Sequence, residues 1–234
     1  MIDIHSHILP GIDDGARTLY DSVEIARELA SQGITDIIAT PHYVNETKYV
    51  SPRGHNRRLL MELRKKLAEE GVKVNVYLGN EIYIDEEIEK LIKMGKISTL
   101  ADSRYLLVEL PLHEKYQNYE DVLGSLLNVG YQVVLAHPER YEIVQEDYGV
   151  AKELYEMGVL FQCNLCSIVG KYGKNARKMI RKLAKDKMIF AFGSDIHRCS
   201  RTNQIKVAQR KIAKYYNGAE LERVFVKNPR KILG

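Results

Sequence analysis

Three cysteines in 234 residues, Cys163, Cys166 and Cys199, are too few and odd in number for a disulfide framework. None has an arginine six positions later, where the chain carries Val169, Tyr172 and Ile205. A phosphate cradle built around a nucleophilic cysteine is therefore absent. No Gly-x-x-x-x-Gly-Lys-Ser/Thr loop occurs either, which removes nucleotide hydrolysis of that type. No apolar run approaches the ~20 residues needed to span a bilayer. No basic stretch followed by an apolar one opens the chain, so no signal peptide is expected. Pro/Gly/Ser-rich linkers, low-complexity segments and repeats are missing as well. The net charge of +4 is compatible with an anionic substrate but too small to argue for nucleic acid. These absences predict a reduced cytoplasmic protein without membrane insertion, folded as one domain over residues 1–234.

What the chain does have is a rhythm. Short β-branched or apolar runs cover Ile2 to His7, Thr35 to Thr40, Val72 to Tyr77, Tyr105 to Leu110, Gln132 to Ala136, Val159 to Asn164 and Met188 to Gly193. Amphipathic stretches lie between them, at Tyr20 to Gln32, Arg57 to Glu70, Asp85 to Met94, Tyr119 to Asn128, Val150 to Met157 and Ala176 to Lys185. Gly33, Gly71, Gly95, Gly130 and Gly158 follow helical stretches, as C-cap chemistry favours. Strand–helix alternation predicts an α/β fold with a parallel sheet and helical crossovers. Seven such units suggest a distorted (β/α)7 barrel, TIM-like but one unit short; an open doubly wound sheet is the alternative.

Polar residues gather where the apolar runs end. His5 and His7 are two apart on the first strand and so share a face. Asp13 and Asp14 follow in the next loop. His42 closes the second run, Glu81 follows the third, Glu109 ends the fourth and His137 the fifth. Asp195 and His197, after the last run, repeat the His5/His7 spacing. In a parallel barrel the carboxyl ends of all strands meet at one face. That many imidazoles and carboxylates exceed what one ion needs and suggest two or three. Mixed nitrogen and oxygen donors suit Mn, Fe or Zn. Grouped ions suit phosphate ester hydrolysis, because metal binding acidifies water and paired ions clamp the attacking and leaving oxygens.

The set His5-x-His7, Asp14, His42, Glu81, Glu109, His137 and Asp195-x-His197 resembles the polymerase and histidinol phosphatase (PHP) superfamily. Ile2-Asp3-Ile4-His5-Ser6-His7, Asp13-Asp14-Gly15, Thr40-Pro41-His42, Gly79-Asn80-Glu81, His137-Pro138-Glu139-Arg140-Tyr141 and Gly193-Ser194-Asp195 are similar to one branch. That branch is the manganese-dependent bacterial tyrosine-protein phosphatases of capsule and exopolysaccharide synthesis, and the likeness extends to Asn228-Pro229-Arg230. The resemblance implies the PHP fold, three Mn²⁺ ions, attack by metal-bound hydroxide, and a substrate on the tyrosine-rich tail of a bacterial tyrosine kinase. It implies His5, His7, Glu81 and Asp195 on a first ion, Glu81, Glu109 and His137 on a second, and Asp14, His42 and His197 on a third. Arg140 matches a substrate-binding arginine. A second arginine is expected after His197, and Arg198 and Arg201 both remain open for it. His42 or Asp195 would assist proton transfer if not fully committed as ligands. Rival readings are a small-molecule phosphatase such as histidinol phosphatase, and a non-catalytic metal-binding scaffold that docks the kinase.

Other features have structural readings. Asp13 and Asp14 could simply make an Asp-Gly turn; one of them is expected to be a ligand, and only the resemblance favours Asp14. Glu109 in an apolar strand is costly unless paired or metal-bound. Cys163 and Cys166 read as buried thiols, and His55 and His113 as surface loop residues. Arg53 to Lys66 reads as a solvated helix face from which Arg53 alone could reach substrate.

Overall fold

The alternation seen in the sequence builds nine strands and ten α-helices among the described residues of the computed structural model, which are 1–113, 117–198 and 204–234. In chain order these are β1 (Ile2–Ser6), α1 (Leu19–Ser31), β2 (Asp36–Ala39), β3 (His42–Tyr43), α2 (Arg53–Glu69), β4 (Asn75–Leu78), β5 (Glu81–Tyr83), α3 (Ile88–Lys93), β6 (Tyr105–Glu109) and α4 (Tyr119–Asn128). They continue with β7 (Gln132–Ala136), α5 (Glu142–Glu146), α6 (Tyr148–Glu156), β8 (Leu160–Asn164), α7 (Gly173–Lys185), β9 (Ile189–Gly193), α8 (Ile205–Ile212), α9 (Gly218–Glu222) and α10 (Asn228–Leu233).

All strand pairs are parallel, in the orders β1-β2-β4 and β3-β5-β6-β7-β8-β9. The fold is therefore α/β with parallel sheets. Each of the seven expected runs contains a strand, and two continue past a break into β3 and β5. The first break falls at Thr40-Pro41, where proline brings no backbone N–H to a ladder. The second falls at Gly79-Asn80, and Asn80 pins both. Its Nδ2 donates to Pro41 O at 3.0 Å and its Oδ1 accepts from Ser98 N at 2.8 Å. Beyond the breaks the strands pair again, with His42 opposite Glu81. The first and last strands also meet: Asp195 N donates to His5 O at 2.9 Å and His7 N to Ile196 O at 3.0 Å.

The strand faces separate two apolar clusters. One lies between strands and helices and includes Ile25 and Leu29 of α1, Leu63 of α2, Ile37, Val108, Leu135 and Phe161. The other gathers Ile2, Ile4, Ile38, Leu107, Val134, Ala136 and Ala191, with Leu100 and Ile232 packed against them. Polar residues stand two places beyond this second cluster on the same strands. Glu109 follows Leu107 on β6, and Gln162 and Asn164 follow Leu160 on β8. The two-residue period of a strand thus converts one apolar layer into a polar layer above it.

The five helix-ending glycines all take left-handed φ, from 66° to 100°. Helix ends differ from expectation by a few residues. The largest shift is α2, which starts at Arg53 rather than Arg57 because extended Pro52 occupies its N-cap. His55 consequently sits in the first turn of α2, not in a loop. Helices α5, α8, α9 and α10 were not expected. The last of them seals the inner cluster with Ile232, and its Asn228 donates Nδ2 to Phe190 O at 2.8 Å.

Candidate metal centre

The first strand delivers both of its imidazoles to one place. His5 and His7 are fully buried, with their Nε2 atoms 3.2 Å apart and each 3.2 Å from Glu81 Oε2. Asp195 Oδ1 lies 3.7 Å from His5 Nε2 and 3.5 Å from His7 Nε2. Glu81 reaches onward: its Oε2 is 3.1 Å from His42 Nδ1 and its Oε1 is 3.0 Å from His137 Nε2. Glu109 joins there, 3.4 Å from His137 Nε2 and 3.8 Å from His42 Nδ1. Asp14 Oδ1 sits 3.3 Å from His197 Nε2 and 3.5 Å from His42 Nε2. All nine expected ligands therefore converge. Three ligand-spaced groups emerge: His5, His7 and Glu81; His42, Glu81 and Glu109; and His7, Asp14, His42 and His197. His7, Glu81 and His42 each belong to two of these groups.

The spacing fits divalent ions. Donors about 2.1 Å from a shared cation stand about 3.0–3.4 Å from one another in octahedral or tetrahedral geometry. The charge balance fits as well. Burial alone would raise Glu81 and Asp195, yet the surrounding imidazoles outweigh it and hold both carboxyls low. His197 brings Asp14 down to about 2. Conversely, burial disfavours a charged His137, but Glu109 and Glu81 outweigh it and lift its pKa to about 10. The carboxylates thus demand positive charge at the imidazoles, which protons or cations can supply.

Polar side chains outside this set fix its orientation. Asp195 can only accept, and its Oδ2 takes hydrogen bonds from Asn164 Nδ2 at 2.7 Å, Arg140 NH1 at 3.0 Å and Tyr172 OH at 3.2 Å. Asn164 must then turn its oxygen to Gln162 Nε2, at 3.0 Å. Gln162 in turn presents Oε1 to His5 Nδ1 at 2.7 Å. An oxygen there requires a proton on Nδ1, so the relay leaves Nε2 free to carry the lone pair a metal needs. Asp13 does the same for His7. Its Oδ2 is 2.8 Å from His7 Nδ1 and also accepts from His42 N at 3.1 Å, while Oδ1 caps Gly15 N at 2.9 Å. Asp13 is thus more than a turn residue, and Asp14 is the one facing the cavity.

Two of the convergent residues have unusual backbones. His137 and Asp195 take φ of 34° and 49°, in the left-handed region that non-glycine residues seldom occupy. After His137, a 3₁₀ turn over Pro138–Arg140 returns Arg140 to the same mouth. Gly193 permits the approach of β9, since a Cβ there would stand 2.6 Å from His5 Cβ.

Above the cluster opens a cavity of about 680 Å³, lined by Glu109, His137, Arg140, Tyr172, His197 and Arg198 among others. The Arg140 guanidinium lies 4.6 Å from the Tyr172 ring centre. Arg198 reaches this cavity, whereas Arg201 lies outside the described residues, as does Cys199. Arg53 instead pairs with Asp102. His113 is exposed and 2.8 Å from Glu142. Cys163 and Cys166 are buried, and burial pushes both thiols up in pKa. Sequence reasoning missed Gln162, Asn164 and Tyr172. The first two carried a signal: polar residues two apart in an otherwise apolar strand.

A parallel α/β fold of this kind has known counterparts. The phosphotriesterase homology protein from Escherichia coli shares the fold at TM-score 0.59 and 11% identity, covering 100% of this chain and 98% of that one. The chain belongs to the capsular polysaccharide synthesis CpsB/CapC family, whose sequence model matches residues 1–234. Tyrosine-protein phosphatase YwqE of Bacillus subtilis is 36% identical over 203 residues, 87% of this chain and 80% of YwqE. Tyrosine-protein phosphatase CpsB of Streptococcus pneumoniae is 32% identical over 242 residues, covering 100% and 98%. A chain from the crystal structures of these two proteins, described as unique metal-dependent tyrosine phosphatases, superposes at TM-score 0.92 and 32% identity, covering 100% of this chain and 94% of that one.

Proposed function

We propose that this chain is a metal-dependent protein-tyrosine phosphatase of capsule or exopolysaccharide synthesis, acting in the cytoplasm on the tyrosine-rich tail of a bacterial tyrosine kinase. The observation that carries the reading is the convergence of five imidazoles and four carboxylates beneath a cavity walled by Arg140. Relatives spanning essentially the whole chain bear the same activity in their names. In this reading residues 1–234 form one catalytic domain. The proposed architecture is a distorted (β/α)7 barrel, a reading supported by the backbone bonds between His5, His7 and the segment after β9.

His5, His7, Glu81 and Asp195 would hold one ion, Glu81, Glu109 and His137 a second, and Asp14, His42 and His197 a third. Mn²⁺ is the proposed metal, with Fe or Zn compatible with the same donors. Bound there, divalent ions supply Lewis acidity that activates water and neutralises phosphate oxygens. Arg140 would grip the phosphate, since its planar fork matches two oxygens at once. Its hydrogen bond to Asp195 aims the guanidinium from below, and Tyr172 supports it from the side. Arg198 or Arg201 would add a second cationic contact. His42 and Asp195 are assigned first as ligands. Asp195 accepts three hydrogen bonds on Oδ2, which keeps it ionised and poorly suited to carry a proton. His42 is the better candidate for proton transfer, because its Nε2 borders the cavity beside Asp14.

The test is turnover of a phosphotyrosine peptide against histidinol phosphate, with metals added back singly after chelation. Preference for histidinol phosphate would assign the small-molecule reading. No turnover of either substrate in a metal-loaded protein would assign a scaffold.

A further inference from the structure

Charge is divided unevenly along this chain. Residues 171–234 contain eighteen Lys and Arg against four Asp and Glu, a net +14, while residues 1–170 carry −10. Helix α7 concentrates the excess. Between Gly173 and Lys185 it has Lys174, Arg177, Lys178, Arg181, Lys182 and Lys185 and no acidic residue. At about 100° per residue, Lys174, Lys178, Arg181 and Lys185 fall within about 60° of arc. The opposite face buries Ala176, Met179, Ile180, Leu183 and Ala184 against the core, so the basic stripe can only face outward.

This stripe differs from the charged faces of α2 and α3. On α2, Lys66 pairs with Glu70 at 2.9 Å and Arg57 with Asp102 at 3.1 Å. On α3, Lys90 and Lys93 pair with Glu87 and Glu89. Among the described residues, Lys174, Lys178, Arg181 and Lys185 have no acidic partner. Like charges at i and i+4 repel, as at Lys174/Lys178 and Arg181/Lys185, and basic residues near a helix start oppose its dipole. Lys174 and Lys178 at the start of the helix thus cost stability, whereas Lys185 in the last turn is favoured by the dipole.

The stripe also begins at the candidate site. Tyr172, the N-cap of α7, and Lys171 line the metal-centre cavity. Lys174 lines an adjoining cavity of about 490 Å³ that shares Arg140 and Tyr172 with it. From Lys174 to Lys185 the stripe runs about 16 Å along the helix. We propose that the outer face of α7 is a docking track for the segment of a protein substrate next to its phosphotyrosine, and that it selects segments rich in negative charge, acidic or multiply phosphorylated. This rests on the phosphatase reading above. Continuity with the catalytic mouth favours a substrate segment over an anionic membrane.

The experiment compares three phosphorylated substrates at low and high salt: an aryl phosphate, a phosphotyrosine peptide with neutral flanks, and the same peptide with glutamate flanks. The wild-type chain is expected to favour the glutamate peptide by about ten-fold in kcat/KM at low salt, expressed in KM, with the preference fading as salt rises. The triple change Lys178→Glu, Arg181→Glu and Lys185→Glu should abolish that preference and leave aryl phosphate turnover unchanged. The glutamine triple, which keeps helix propensity, replaces it if the charge reversal fails to fold. Equal kcat/KM for both peptides in the wild type, or a preference that survives the substitutions, overturns the track. So does binding to phosphatidylglycerol vesicles that the triple change abolishes while both peptides are processed alike, because the stripe would then serve a membrane. If no substrate turns over, the phosphatase reading fails, and fluorescence anisotropy of the two peptides still decides the track.

Discussion

Gln162 Oε1 stands 2.7 Å from His5 Nδ1, fully buried, and this bond sets which nitrogen of His5 faces Glu81. Replacing Gln162 with Leu removes the acceptor and frees the imidazole to rotate or change tautomer. Loss of such an outer partner typically weakens metal affinity about 10- to 100-fold. Calorimetric titration of Mn²⁺ into the metal-free variant measures it, and unchanged affinity would show that packing alone orients His5.

Chelation should abolish hydrolysis of an aryl phosphate, and Mn²⁺ should restore it best among single metals. The restoring affinity should rise with pH. His5, His7 and His137 hold their protons more tightly than ordinary imidazoles because, against burial, their carboxylate neighbours favour the charged form. A cation must displace those protons, so lowering the pH strengthens the competitor. Titrations at pH 6 and pH 8 give the sign directly; tighter binding at pH 6 would contradict the proposed ligands.

Arg140→Ala should cut kcat/KM by on the order of 10- to 1000-fold, the range for losing one charge-assisted contact at a transition state. Arg140→Lys should recover only part, since a point charge lacks the fork. Because Arg140 also bonds Asp195, metal content must be measured alongside. Near-native kinetics with metals in place would reduce Arg140 to an ion pair of Asp195.

Cys163→Ser and Cys166→Ser should leave turnover within a few-fold. Burial raises both thiol pKa values, which removes the thiolate that nucleophilic chemistry needs. Complete loss of activity in a folded variant at either position would revive a thiol mechanism.

Tyr141→Phe tests the wall behind the site. The buried hydroxyl donates to Ala136 O at 2.6 Å and accepts from Leu110 N at 3.0 Å, joining the ends of β6 and β7. Its removal strands two backbone groups and should cost about 1–3 kcal/mol in urea denaturation. A stability change near zero would mean water replaces the hydroxyl.

Much of this arrangement is legible in the sequence. Period-2 spacing put His5 beside His7, and apolar runs located the seven strand units. The breaks at Pro41 and Asn80 were less visible, because they depend on an amide that holds a proline carbonyl across 39 residues. Gln162 and Asn164 escaped notice because amides are poor ligands, although their same-face spacing was available. The residues alone do not divide the roles of Asp13 and Asp14, because Asp13 meets His7 only when the loop folds back. Of the C-terminal helices, α8 carries a readable signal, Ile205, Ala208 and Ile212 at helical spacing, whereas α9 and α10, at five and six residues, are too short to show a period. The choice between Arg198 and Arg201 depends on a segment outside the described residues.

Asp3 Oδ1 accepts from Ser194 N at 2.9 Å, across 191 residues of sequence. β1 and the segment after β9 therefore meet beneath the candidate ligands, and each supplies some of them. Such distant pairing requires loop closure over most of the chain. A chain with helices in place but β1 and β9 apart would hold His5 and His7 without Asp195, and Asp14 without His197, while Glu81, Glu109 and His137 still stand on paired strands. It should keep one Mn²⁺ site of the three, so ion binding would reward the joining of β1 and β9 in two of them.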